Sequence, residues 1–180
     1  MIAQQLFEMT QRKQGNYFIF FPSYQYMEQL FEVYADLVGD EQKIIMQERK
    51  MDEPAREDFL AEFTKTSEQT LVAFAVLGGI FSEGIDLIDD ALIGAVIVGV
   101  GFPQINPLTQ ERRQYFDEKL GNGHLYAYVI PGFNKVMQAV GRVIRTETDE
   151  GSVLLIDDRY MDKEYLDLFP HEWQHAKFKK

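Results

Sequence analysis

Residues 136–145 combine an apolar repeat with side chains that suit phosphate chemistry. An α-helix advances by about 100° per residue, which places Gln138, Arg142 and Arg145 on one face. The opposite, inward face carries Phe133, Met137, Val140 and Ile144. A guanidinium makes planar, paired contacts with phosphate oxygens, and an arginine from a second lobe can act as an arginine finger. Gly141 leaves room for a ligand between the arginines. The pattern also fits a solvated amphipathic helix whose arginines face water.

A second polar group follows a predicted strand at residues 70–77. Ser82, Glu83, Gly84 and Asp86 lie in a glycine-rich loop directly after that strand. Open α/β sheets bind their ligands at the carboxyl ends of strands, so we expect this loop and the arginine helix to meet at one sheet edge. Nucleotide hydrolysis there would use arginines against developing phosphate charge, and acids or amides to position water, ribose or those arginines.

The elements that must position these residues alternate between strand and helix. Buried strands are predicted at residues 16–21, 43–47, 70–77, 95–100 and 152–156. Helices are predicted at residues 24–38, from Pro54, at 109–120 and from Pro131, with a short extended segment at 126–130. The alternation predicts an α/β fold, a doubly wound and mostly parallel sheet with helices on both faces. We expect one domain over residues 1–180, with a frayed tail at about 171–180.

Composition narrows the class of protein. The chain has 180 residues, a net charge of −11 and no cysteine. The charge argues against binding nucleic acid through a wholly basic surface, although a local basic groove remains compatible with it. Without cysteine the chain carries no disulfide, thiol nucleophile or iron–sulfur cluster of its own. The polar amino terminus and short apolar runs favour a cytoplasmic protein that binds no membrane.

Two short motifs suggest other chemistry but are weak. His171-Glu172-Trp173-Gln174-His175 matches the H-E-x-x-H pattern of zinc peptidases. The alternative is a solvated tail that docks Trp173 and Phe169, which the lack of a downstream ligand favours. Gly99-Val100-Gly101 resembles the start of a dinucleotide fingerprint, but Gln104 stands at the third glycine position. We therefore assign no metal site.

Three segments, in order, resemble conserved helicase motifs. Residues 16–24 resemble motif IV, residues 79–87 motif V and residues 138–145 motif VI of the XPD/DinG group of superfamily 2 DNA helicases. Residues 98–103 and 154–159 are similar to linking segments of that group. The likeness covers nearly the whole chain. It implies a second RecA-like motor lobe.

The resemblance also implies roles for individual residues. Arg145 would be the arginine finger on the γ-phosphate of ATP, with Arg142 beside it and Gln138 ordering the attacking water. Glu83, Gly84 and Asp86 would form the nucleotide edge of motif V. Ser82, Ser23 and Tyr24 would lie toward single-stranded DNA.

The chain lacks two motifs that a complete helicase has. It has no G-x-x-x-x-G-K-[S/T] loop and no acidic Mg²⁺-binding box. ATP and Mg²⁺ would therefore be bound mainly by a first helicase lobe, as a separate chain or part of the same parent chain. The isolated chain is expected to be inactive. The alternative function is a non-catalytic RecA-like module that binds DNA or protein.

Overall fold

Five parallel strands form the centre of the computed structural model, which describes residues 2–65, 68–81, 92–143 and 151–178. The strands are β1 Asn16–Phe21, β2 Gln42–Met46, β3 Thr70–Val76, β4 Gly94–Val98 and β5 Ser152–Ile156. Their spatial order is β2-β3-β1-β4-β5, and every pair is parallel. The predicted parallel sheet is confirmed.

Both faces of the sheet are covered, which explains the unbroken apolar run in β1. Tyr17, Ile19 and Phe21 pack with the first two helices, α1 Ile2–Thr10 and α2 Tyr24–Val38. Phe18 and Phe20 face the other layer, which includes α3 Glu53–Ala61 and α5 Ile130–Val140. In register, Phe18 lies beside Ala73 and Ala95. Two small neighbours give its ring room to stack on Phe63, with ring centroids 4.7 Å apart.

The remaining helices are short or peripheral. They are α4 Pro107–Leu120, α6 Lys163–Leu166, a π-helix at Leu125–Val129 and 3₁₀ turns at Glu62–Thr64, Asp158–Met161 and His171–His175. The α4 helix begins two residues before the predicted start because Asn106 and Thr109 form a reciprocal capping box. Within the described ranges, no helix combines the length and apolar character that crossing a bilayer requires.

One predicted element was wrong. The sequence at residues 126–130 reads as an extended segment because it is rich in aromatic and β-branched residues. The structure instead has a π-helix that runs directly into α5. Ala127, Tyr128 and Val129 are all buried there. Tertiary packing therefore overrides the local preference for extended backbone.

Candidate functional site

The carboxyl edge of the sheet holds Ser23, Tyr24 and the beginning of the predicted motif V segment. Strand pairing continues one residue past β3, since Leu77 N donates to Phe21 O at 2.8 Å. The chain then turns at Gly78, whose φ is +74°. Phe81 is fully buried and stacks on Phe59 with centroids 4.4 Å apart. The segment that leads to residue 82 is thus anchored at this edge by its last described side chain.

Helix α5 lies directly against the same edge. A Cβ on Gly132 would lie 2.6 Å from Val100 O, and one on Gly101 would lie 2.7 Å from Gly132 O. Only glycine permits so close an approach of two backbones. A Cβ on Gly78 would lie 3.1 Å from Lys135 Cδ. The beginning of the predicted motif V segment and the first turns of α5 are therefore neighbours.

Lys135 was missed by the sequence reasoning. Its Nζ lies 3.4 Å from the Cβ position of Gly78, so it places a cation beside the turn that precedes residues 82–86. The available signal was its place one helical turn before Gln138. A cation next to a strand end is a suitable neighbour for an anionic ligand.

Gln138 and Arg142 were expected to lie on one helix, but they do not. Gln138 is exposed on α5, but α5 ends at Val140 and Arg142 lies in the following turn, partly buried. Arg142 N donates to Ala139 O at 3.3 Å and Val143 N to Val140 O at 2.9 Å, which tightens the chain. The turn carries Val143 into the core, where it is buried and packs against Gly151 at the amino end of β5. Arg142 therefore lies toward the amino edge and not, as expected, where the glycine-rich loop leaves the sheet. Burial of Val143 and the low helix propensity of Gly141 explain the early end.

Five of the predicted site residues lie outside the described residues. They are Ser82, Glu83, Gly84, Asp86 and Arg145. Their roles remain predictions from the sequence.

Ser23 and Tyr24 lie at the end of β1, where they were expected. Ser23 Oγ accepts from Tyr26 N at 3.3 Å and caps α2. Tyr24 OH accepts from Gln47 Nε2 at 2.7 Å, and Arg49 lies over the Tyr24 ring at 5.3 Å. Burial raises the pKa of Tyr24, and the charge of Arg49 offsets this only in part. The hydroxyl is therefore neutral near pH 7 and able to form hydrogen bonds.

Gln47, Arg49 and Glu28 complete this corner of the edge and were also missed. Gln47 is 2% exposed, and its Oε1 accepts from Val76 N at 3.0 Å. Arg49 donates to both carboxylate oxygens of Glu28, at 2.9 and 2.8 Å. The signal was a polar residue at the carboxyl end of a strand, but Gln47 was assigned to the strand itself.

The opposite corner of the edge holds a charged pair. Asp157 Oδ1 accepts from Arg159 Nε at 2.8 Å and Oδ2 accepts from Nη2 at 2.7 Å. Burial raises the pKa of Asp157, but the bonds from Arg159 outweigh it, and the net pKa is lowered. Arg159 also lies 5.0 Å from the centre of the Phe102 ring. This corner joins the ends of β4 and β5 through an ion pair and a cation–π contact.

The described structure gives no support for a metal site at the H-E-x-x-H motif or for a dinucleotide site at Gly99-Val100-Gly101. His171–His175 form a 3₁₀ helix, in which residues four apart point about 120° away from each other. Trp173 packs on Phe169 with centroids 5.5 Å apart, as the docked-tail interpretation expected. Where residues are described, no group of three His, Asp or Glu side chains is arranged to hold a metal ion. After Gly101 the chain reaches α4 only at Pro107, without the tight strand-to-helix turn of a dinucleotide site.

Solved structures share this arrangement. A chain titled "XPD_Helicase" matches with a TM-score of 0.70 at 20% identity, covering 92% of this chain and 29% of that chain. "Mss116p DEAD-box helicase domain 2 bound to an RNA duplex" matches with a TM-score of 0.54 at 13% identity, covering 89% of this chain and 50% of that chain. At these identities the match concerns the fold, which is RecA-like as expected.

Sequence relatives identify the family. ATP-dependent DNA helicase chl-1 of Caenorhabditis elegans is 31% identical over 147 residues, covering 79% of this chain and 18% of that protein. The regulator of telomere elongation helicase 1 homolog of Oryza sativa subsp. japonica is 32% identical over 173 residues, covering 82% and 17%. The chain spans about a fifth of the length of the curated relatives it matches.

The family comparison agrees with the motifs. A family model described as "Helicase C-terminal domain" matches residues 6–176. The resemblance to the C-terminal lobe of the XPD/DinG group is thereby confirmed, and the chain belongs to the helicase C-terminal domain family.

Proposed function

We propose that this chain is the second motor lobe of an ATP-dependent DNA helicase and works by closing over ATP held mainly by a first lobe. The observation that carries the proposal is the position of α5. Its first turns lie against the carboxyl edge at Gly78 and Gly101, and the helix then runs along the sheet toward Arg142 and Arg145. Motif V leaves the sheet at that same edge. The relatives' names, which specify ATP-dependent DNA helicases, support the same assignment.

The nucleotide side of the lobe would combine cations and an amide with two carboxylates of motif V. Arg145 would stabilise charge on the γ-phosphate, Arg142 would lie beside it, and Gln138 would orient the attacking water. Lys135 adds a cation at the turn that begins motif V. Motif V would contribute Glu83, Gly84 and Asp86 to the nucleotide edge.

The described residues fit a ligand that carries most of its negative charge on phosphates. Near α5 they offer an amide and cations, and they hold no carboxylate cluster of the kind that binds Mg²⁺. Because the sequence has no Walker loop and no acidic Mg²⁺-binding box, a first helicase lobe would supply both. Mg²⁺ held by that lobe would supply neutralisation of phosphate charge.

The DNA side would use the ends of β1 and β3. Ser23 and Ser82 would contact phosphates, and Tyr24 would offer a hydroxyl and part of a ring to single-stranded DNA. Arg49 lies over Tyr24 and is largely exposed, with 60% of its side chain accessible. Its charge is paired with Glu28, so this corner would contact DNA through hydrogen bonds and the ring more than through net charge.

The test is arginine replacement in the complete helicase, with this lobe joined to its Walker-containing first lobe. Arg145→Ala should lower DNA-stimulated ATP hydrolysis on the order of 10³-fold, the scale of an arginine finger, while nucleotide binding is retained. Arg113→Ala is the matched control. It removes an exposed helical arginine whose partner is Asp117, four residues along α4, and should leave hydrolysis unchanged.

Two outcomes contradict the proposal. If Arg145→Ala hydrolyses ATP at the wild-type rate, motif VI does not supply the finger. If the complete protein binds DNA but hydrolyses no ATP, the non-catalytic RecA-like binding module is the correct function.

A further inference from the structure

Gln47 joins two parts of the carboxyl edge that the sequence keeps far apart. Its backbone extends the sheet by one bond, since Gln47 N donates to Phe74 O at 2.8 Å. Its side chain is buried, accepts at Oε1 from Val76 N and donates from Nε2 to Tyr24 OH. A single carboxamide therefore contacts the last residue of β3 and the first residue of α2.

The planar geometry of the amide makes this link stiff. Oε1 and Nε2 are fixed relative to each other, and each has a short bond, at 3.0 and 2.7 Å. Buried polar groups keep their hydrogen bonds because an unsatisfied group is costly. A displacement of Tyr24 must therefore move the Val76 amide or break one of the two bonds.

The surroundings hold the link on both sides. On the outer side the guanidinium of Arg49 covers the Tyr24 ring, and Glu28 fixes that guanidinium with two bonds. On the inner side Gly79 leaves space for the amide. A Cβ there would lie 3.5 Å from Gln47 Nε2 and 3.0 Å from Val76 O. Val76 and Gly79 bracket the turn that begins the predicted motif V segment.

We propose that Gln47 is a positioning residue that transmits DNA occupancy at Tyr24 to the start of motif V. The inference rests on the proposed function, since it needs DNA at Tyr24 and a nucleotide role for residues 82–86. Gln47 itself touches neither ligand. It sets the position of the β3 end according to the position of Tyr24.

The experiment measures ATP hydrolysis by the complete helicase without DNA and at saturating single-stranded oligothymidine. The readout is the ratio of the two rates, which weaker DNA binding does not change at saturation. Gln47→Met removes both bonds and should lower the ratio about fivefold to tenfold, the usual size of coupling between sites. Gln47→Glu should keep most of the ratio, because a carboxylate accepts from both the Val76 N–H and the Tyr24 O–H.

Gln42→Met is the matched control. Gln42 is the first residue of β2, five residues before Gln47, and is also buried, and its amide bonds Tyr34 and Thr10 at the opposite sheet edge. It should lower the midpoint of thermal unfolding about as much as Gln47→Met and leave the ratio unchanged. A purely structural role for Gln47 predicts that both variants behave alike.

The outcomes separate this inference from the proposed function. If hydrolysis depends on Arg145 but Gln47→Met keeps the wild-type ratio, or if Gln42→Met lowers it equally, the inference alone is wrong. If hydrolysis is indifferent to Arg145 and to DNA, both are wrong. Should Gln47→Met fail to fold, Tyr24→Phe decides. It removes one bond of the link and should also lower the ratio, and an unchanged ratio overturns the inference.

Discussion

Strand β2 begins with a buried glutamine and is followed directly by another, and the two have different surroundings. Gln42 accepts from Tyr34 OH at 2.6 Å and donates to Thr10 Oγ1 at 3.0 Å. Gln47, one residue past the strand, bonds Tyr24 and Val76. Both amides contact a tyrosine hydroxyl. At the amino edge the partners belong to the core, whereas at the carboxyl edge they begin the segments that carry the candidate site.

The amino-edge network is closed and neutral. Thr10 and Tyr34 are fully buried, and burial raises the pKa of Tyr34 to about 12, more than its bond to Thr10 lowers it. This network ties α1, α2 and β2 into one unit. A glutamine–tyrosine hydrogen bond therefore stabilises the fold at the amino edge, where water is excluded. At the carboxyl edge, where Tyr24 is partly exposed, the same kind of bond can couple two segments.

The largest expected effect tests how closely α5 is held to the carboxyl edge. Gly132→Ala would put a methyl group 2.6 Å from Val100 O, a backbone atom that cannot rotate away. We expect a loss of about 2 kcal/mol or more in the free energy of unfolding, the usual range for overpacking. Urea denaturation of the isolated chain measures it.

Gly94→Ala provides the comparison at the amino edge. Its methyl group would meet the Tyr17 ring at 2.6 Å and Met9 Cε at 3.1 Å. These are side-chain atoms, which shift more readily than a carbonyl, so we expect a smaller loss. A larger loss for Gly94→Ala than for Gly132→Ala would mean that the amino edge accommodates an added methyl group less well than the carboxyl edge.

The sequence predicted the elements whose signals are local. Strand β1 and helix α2 were predicted with their observed bounds, because an aromatic run stops at Pro22 and the apolar residues that follow recur at helical spacing up to Gly39. Strand β5 was also correct. The end of α5 was not, since it depends on the burial of Val143 among residues distant in sequence.

The residue types of the candidate site could be predicted from the sequence, but the contacts between those residues could not. Ser23 and Tyr24 could be placed at the carboxyl edge from strand ends alone. The role of Gln47 depends on the parallel pairing of Met46 with Phe74, which brings Val76 within reach of its side chain. No periodicity encodes that neighbour. The contact between Lys135 and the Gly78 turn is likewise a product of how α5 packs.

A second prediction makes the same chemical change at both edges. Tyr34→Phe removes the 2.6 Å donor to Gln42 Oε1 in a site closed to water, and should lower the free energy of unfolding by about 1.5 kcal/mol. Tyr24→Phe should cost about 0.5 kcal/mol, because water can reach the half-exposed ring and replace part of the lost bond. Chemical denaturation of the two variants side by side gives the difference. Equal losses would contradict the contrast between a closed and an open network.

The smallest expected effect separates the edges by charge. The Asp157–Arg159 pair at the carboxyl edge is ionised, whereas Thr10, Tyr34 and Gln42 at the amino edge are neutral. The folded pKa of Asp157 lies below its unfolded value of about 3.9. The pair therefore adds stability above about pH 4, and this contribution is lost as pH falls through the folded pKa.

Asp157→Asn retains an oxygen that can accept from Arg159 N but removes the charge. Arg159 is 46% exposed, so solvent screens the pair, and we expect a loss of only about 0.5 kcal/mol at pH 7. Denaturation curves at intervals from pH 7 to pH 3 should show this loss shrinking toward zero, while the loss from Tyr34→Phe stays constant. A cost of Asp157→Asn that does not change with pH would mean that Asp157 acts through neutral hydrogen bonds, as the amino-edge residues do.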